Sequence, residues 1–487
     1  MHVEKMTSRQ SRAVAIAAAI VLGMSLVGTA KSSPANAESL RQALADTYKY
    51  NPRIDAERAR LRATDEGVSE AMSGYRPRIN GTADINYQNT NVRPDTATEG
   101  DVTPKGYGID LNQNIFDGFQ TTNRVNEAEA SVRAGRETLR DIERTVLLEA
   151  VAAYMDVVRD QAIVRLREND VRVLSRELKA TRDRFSVGEV TKTDVAQSKA
   201  RRAGSVSALQ LARANLKSSR ATYLRVVGSP PSRLTSAPVP RRLLPKSLPA
   251  ATSIALNESP TLVSALYREQ GARHTVDRIR GELLPTVNFE ASYQSRYDPG
   301  RLVDQTETTV VTGRLNVPIY QGGSVFSRVR AAKHRHVALI QEVENARTLV
   351  KEAVTSAWAQ WQAAEAQLIS DTTQVSANST ALSGVREEER VGQRTLLDVL
   401  NAELELLDAQ VQLEVTRRNQ VVAAYTLLSA IGRLDSKSLA LTSLAYDEEE
   451  HYYEVRRRWW GIDITHDDGR SEHLDLWESH GKNLADK

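Results

Sequence analysis

Two short stretches of this chain carry a hydroxyl three residues ahead of a carboxylate, Thr191-Lys-Thr-Asp194 and Thr395-Leu-Leu-Asp398. Such a pair closes a helix N-terminus: the hydroxyl satisfies an orphan N–H and the acid meets the positive end of the helix. Arg394 precedes the second pair where the first has Val190, and capping has no use for it. No catalytic set accompanies these residues, neither a Ser-His-Asp signature nor a phosphate loop nor H-E-x-x-H. His334 and His336 are two apart on a helix and do not face each other. The tail histidines His451, His466, His473 and His480 lack ligand spacing and read as solvated. Cysteine is absent, which excludes disulfides, thiolate metal sites and a lipid-bearing N-terminal Cys. No enzymatic activity, metal or cofactor is expected.

The elements that must position these pairs occur twice. L-N-Q-N-I-F-D-G at 111–118 returns as L-N-V-P-I-Y-Q-G at 315–322, and G-E-V-T-K-T-D-V at 188–195 returns as G-Q-R-T-L-L-D-V at 392–399, both by a shift of 204. Upstream, Asn51-Pro52 matches Ser259-Pro260 and Pro77 matches Pro285 by 208, so four extra residues enter the first half between Pro77 and Leu111. In each half a strand with period-2 alternation reaches a glycine, Gly118 or Gly322, and a long helix of heptad type begins. Stripes such as Val132, Leu139 and Val146, or Val325, Val329, Ala332 and His336, alternate steps of four and three or repeat every seven. About 70 residues at roughly 1.5 Å each make a rod near 105 Å. Gly188 and Gly392 end the rods, and shorter helices return to Gly228 and Gly432.

The expected organisation is therefore a signal peptide (1–37); a first repeat (38–228) with a helix, a hairpin at about 77–116, a long helix at about 118–187 and a shorter one at about 190–228; a proline-rich joint (229–250); a second repeat (251–434) with a hairpin at about 285–319 and helices at about 322–391 and 394–432; and a belt segment with a poorly ordered tail (435–487). Lys5, Arg9 and Arg12 precede an apolar run, and Ala35-Asn36-Ala37 has the form of a cleavage site. Without that leader the basic and acidic residues balance, which disfavours nucleic acid as a partner.

The strands have the length and alternation of membrane-spanning barrel strands. Ile79, Ile85, Tyr87, Tyr107, Ile109, Tyr293 and Tyr297 take one face; Tyr87, Tyr107, Tyr293 and Tyr297 are candidates for the aromatic belt at the lipid interface. Asp84, Asp110, Glu290, Arg296 and Arg314 take the other and would line a wet lumen. Four strands cannot close a barrel, and open edges are not tolerated in lipid. Three chains would supply twelve strands and a closed cyclic assembly. The fold class expected is thus an α+β membrane channel: a homotrimeric twelve-stranded antiparallel β-barrel, four strands per chain, continuous with a coiled-coil helical tunnel. The competing expectation is a periplasmic coiled-coil scaffold or adaptor without a pore.

The paired halves, the I-F-D-G and I-Y-Q-G junctions and the G-x-x-T-x-x-D-V turns resemble the TolC-type outer-membrane efflux proteins, over 38–434. The resemblance implies a tunnel from the outer membrane into the periplasm, docked to a periplasmic adaptor and to an inner-membrane pump of the ABC or RND type, exporting proteins by type I secretion, or drugs and other small molecules. It also implies a gate at the far turns. An arginine at the place of Arg394 bridges to the pair at Thr193 and Asp194, and Asp398 joins a ring of acids. A second ring acid falls on Asn401 and a tyrosine of the lock falls on Glu389, so this entrance departs from the pattern.

Overall fold

The computed structural model describes residues 38–91, 93, 100–441, 446–466 and 470–472. The expected signal peptide, His473 and His480 lie outside the described residues. Helix α1 (Leu40–Tyr50) and helix α2 (Pro52–Met72) meet at Asn51, whose side chain accepts from the N–H of Arg53 and donates to the carbonyl of Val226. Proline at the first position of α2 fits, because that N–H has no helical partner to lose. Strand β1 (Arg78–Ile85) follows, then β2 (Gln88–Thr90), β3 (Gly100–Val102) and β4 (Lys105–Phe116). Helix α3 (Gln120–Ser186) and helix α4 (Lys192–Val227) complete the first half. The second half contains α5 (Leu248–Glu258), α6 (Pro260–Gly281), β5 (Thr286–Gly300), β6 (Val303–Asn316), α7 (Ser324–Arg390) and α8 (Leu396–Ala430). The tail adds a short helix α9 (Glu450–Arg456) and a small ribbon, β7 (Ile464–Thr465) with β8 (Ser471–Glu472).

The main sheet is antiparallel in the order β1-β4-β5-β6. Both hairpins use the same register: Ile79 faces Leu111, and Val287 faces Leu315. The ladder of the first hairpin breaks where Pro104 offers no N–H, then resumes in unchanged register as Gln88 facing Val102. The four extra residues of the first half therefore fall at the hairpin tip, between Thr90 and Gly100.

Helices α3 and α7 each have 67 residues, roughly 100 Å of rod at 1.5 Å per residue. Within the wall the helices lie side by side as α2, α3, α6 and α7, the order of the strands they adjoin. Beyond the middle, α3 pairs with α4 and α7 with α8 as two coiled hairpins. Of the expected stripe residues, Val132, Leu139, Val146, Val325 and Ala332 are buried, and Val329 and His336 are half-buried. The largest apolar core lies at mid-height, where α1, the joint and α5 pack on the rods; Tyr154, Leu147, Leu262 and Leu428 are among its fully buried members.

Glu38 is pinned in that core. Its carboxylate accepts from the Tyr223 hydroxyl and from the backbone and side chain of Ser232, and its carbonyl accepts from Tyr154 at 2.8 Å. Burial together with the neighbouring Glu38 charge pushes the Tyr223 phenol upward.

Two expectations about the tail are corrected. The expected irregular segment contains one helix: α9 packs on α2, with Tyr452 buried beside Val68 and Val132, while 446–449 and 457–463 are irregular. His451 is not solvated; its ring nitrogen Nδ1 lies 3.1 Å from the carboxylate of the buried Asp65. The missing signal is physical. The tail is held by ion pairs and rings stacked on guanidinium groups, such as Arg58 and Arg62 against Tyr446, which leave no hydrophobic period to read.

Candidate gate and duct lining

At the far end of each coiled hairpin a glycine in the left-handed region, Gly188 (φ 80°) or Gly392 (φ 78°), turns the chain. Thr191 and Thr395 then form complete capping boxes. The Asp194 carboxylate accepts from the Thr191 N–H and hydroxyl, both at 2.8 Å, while the Thr191 hydroxyl accepts from the Asp194 N–H. Thr395 and Asp398 repeat this at 2.9 and 2.8 Å. The N–H and hydroxyl of Thr395, followed by the charge of Arg394, hold the Asp398 carboxyl below its ordinary range. Asp398 is therefore an ionised cap first, and Asp194 makes the same capping bonds.

The expected bridge from Arg394 to Thr193 and Asp194 is not among the contacts within one chain. Arg394 Nε donates to Glu388 Oε2 at 2.8 Å instead. The reason is local: Glu388 lies six residues back across the same turn, and the Asp194 carboxylate is already engaged by its own cap. Thr193 is exposed.

Two links that sequence reasoning did not find join the hairpins near their ends. Arg184, in the last turn of α3, donates to Glu389 of α7 at 3.0 Å, and Arg201 of α4 donates to Asn401 of α8 at 2.6 Å. Glu389 and Asn401 are the two positions where the chain departs from the TolC-type pattern, and each has an arginine from the other half. Spacing within one helix carries no signal for such a pair; only the departure itself points to it. Around Arg201 the hairpins stand apart, leaving a cleft of about 500 Å³ floored by Leu174, Leu397, Leu400 and Leu404.

In the sheet, Ile79, Leu111, Ala291 and Val311 stand in one row, and Gly81, Ile109, Tyr293 and Thr309 in the next row of that face. Tyr107 touches Tyr293 at 6.4 Å between ring centres; Tyr297 shares their face, and Tyr87 lies two residues past the end of β1. The opposite face carries Arg314 doubly bonded to Glu290 at 3.1 and 3.0 Å, and Arg296 3.6 Å from Asp84. Asp110 shares this face and is exposed. Ion pairs on one face and exposed Ile79, Ile85, Ile109 and Ile115 on the other suit a wall between water and lipid.

A four-stranded sheet with one apolar and one charged face, rising from a bundle of 100 Å rods, defines the chain as an outer-membrane channel subunit rather than a pore-free scaffold. It matches the family described as Outer membrane efflux protein over residues 43–229 and 251–433, and it belongs to that family. Outer membrane efflux protein BepC of Brucella suis biovar 1 (strain 1330) is 40% identical over 450 residues, 92% of this chain and 96% of that protein. Outer membrane protein TolC of Escherichia coli (strain K12) is 26% identical over 434 residues, 86% of this chain and 87% of that one. Among solved structures, the Campylobacter jejuni CmeC outer membrane channel superposes with a TM-score of 0.73 at 15% identity, covering 86% of this chain and 89% of that one. The protein is an outer-membrane efflux channel whose tunnel extends into the periplasm.

Proposed function

We propose that three copies close a twelve-stranded barrel and a continuous helical duct, through which an inner-membrane pump, coupled by a periplasmic adaptor, exports proteins or drugs and other small molecules. The observation that carries this reading is the pair of free edges: among the described residues, β1 and β6 each have a partner on one side only. In hydrocarbon each unpaired backbone group costs several kcal/mol, so β1 must find β6 of another copy. The name of the relative BepC, an efflux protein, supports an export role. Light scattering of the detergent-purified protein tests the assembly, and a monomer there would sink it.

In this reading the far turns form the gate. Arg394 with Glu388 stiffens the α7–α8 turn, while Arg184 with Glu389 and Arg201 with Asn401 tie the two hairpins of one chain together. Opening requires the hairpins to part. Arg394→Ser is expected to raise single-channel conductance in planar bilayers, and Arg184→Ala with Arg201→Ala to raise it further. Conductance unchanged in both variants would remove these residues from the gate.

A further inference from the structure

The tail segment after α9 has no role in the duct described so far, yet it is held firmly in place. Arg76, at the foot of β1, donates to the carbonyl of Arg458 at 2.9 Å and stacks on Trp459 at 4.9 Å. Arg458 in turn donates to the carbonyl of Asp463 at 2.8 Å. So fixed, the segment still leaves Trp459 59%, Trp460 85% and Ile462 47% exposed. It shares a cleft with Ala63, Glu66, Gly67 and Glu70 of α2.

That face of α2 is an open edge of the wall, and the internal repeat says what stands against it. Within the chain α6 packs on α3: a Cβ on Gly271 would lie 3.6 Å from the Ala130 Cβ, Arg278 pairs with Glu127 at 3.0 Å, and Gly281 touches Gly118. Shifting α6 numbers back by 208 and α3 numbers forward by 204 turns these into contacts of α2 with α7 of the next copy. Gly271 with Ala130 becomes Ala63 with His334, Arg278 with Glu127 becomes Glu70 with Ala331, and Gly281 with Gly118 becomes Ser73 with Gly322. The charges fit. Exposed Glu66 and Glu70 on α2 would meet exposed Arg330 and His334 on α7. At the height of Ser73 the next copy presents Phe326, 51% exposed. The tail segment lies at this seam, and a second copy of the chain is the surface that covers it.

Resting on the three-copy ring proposed above, we infer that residues 457–464 are a clasp between copies: Trp460 and Ile462 seat on the start of the neighbour's α7 around Phe326, while Glu66 and Glu70 meet Arg330 and His334. The native chain has no cysteine, so engineered pairs report cleanly. Ala63→Cys with His334→Cys tests the seam without the tail, and Trp460→Cys with Phe326→Cys tests the clasp. Mild oxidation in native outer membranes should convert both into covalent multimers on denaturing gels. Cross-linking by the first pair alone would leave the ring standing and overturn the clasp, as would Trp460 fluorescence quenched by brominated phospholipid in place of a cross-link. Failure of both would sink ring and clasp together. Independently, Trp459→Ser with Trp460→Ser should lower the temperature at which multimers dissociate on unheated gels. Glu66→Lys with Glu70→Lys should do the same, and adding Arg330→Glu should restore it. Unaltered dissociation in both variants would also overturn the clasp.

Discussion

Gly281→Ala is expected to destabilise the protein by about 3 kcal/mol or more, the upper range for forcing atoms into a packed site. A Cβ at Gly281 would lie 2.3 Å from the carbonyl oxygen of Gly118, and one at Gly118 would lie 2.3 Å from that of Gly281. Both obstacles are backbone, so no side chain can swing aside; α6 and the β4–α3 junction must separate. Gly118 adds a second constraint, a φ of 69° that side chains rarely accept. Gly384→Ala offers the opposite sign. It sits inside α7 with nothing within 4 Å of the new methyl, so it should stabilise by about 0.5–1 kcal/mol through helix propensity alone. Urea unfolding of the two variants in detergent, followed by circular dichroism, checks the contrast. Equal shifts would mean that the Gly118–Gly281 contact is not the tight point described.

The second large effect is a pH dependence centred on Glu143. This carboxyl is 5% exposed in the mid-height core, and burial pushes it up to about 7 in spite of the nearby Arg58 guanidinium and a hydrogen bond with Tyr48. Glu448 and Asp435 push the same way. Burial also raises Glu137 and Glu448 themselves. A carboxyl raised in the folded state binds its proton more tightly there than in the unfolded chain. Its contribution is therefore most favourable below the ordinary value of 4.5, declines as pH rises towards 7, and stays at its least favourable above that. At about 1.4 kcal/mol per unit, the cost at alkaline pH is roughly 3 kcal/mol. Glu143→Gln, which keeps the shape and removes the charge, should thus stabilise the protein at pH 8 and change little at pH 5. Unfolding midpoints of both proteins at the two pH values decide it. A variant no more stable than the native protein at pH 8 would show that Arg58 already compensates the charge.

Much of the architecture could be read from the chain because it is written in periods. The alternation from Ile79 to Ile85 and from Val287 to Tyr297 sorted the two sheet faces, and the structure keeps that sorting row by row. The rods followed from heptads free of proline, and their ends from Gly188 and Gly392. The turn pairs at Thr191 and Thr395 read as caps because a capping box is local, a matter of three residues. What escaped was non-local. Gly281 looks like any glycine ending a helix until Gly118 is brought against it. Arg184 and Glu389 lie 205 residues apart, and nothing in either helix singles out the other. The tail escaped because stacked rings and guanidinium groups have no period at all.

The way α6 leans on α3 has a consequence for origins. If the boundary between copies repeats the boundary between halves, a polypeptide of half the length, present six times, would enclose the same space. Fusing two such units would halve the number of pieces to be gathered and free alternate tips to diverge: Arg394 stands in one and Val190 in the other. In the three-copy ring proposed above, the inner end would therefore have two kinds of blade, three of each.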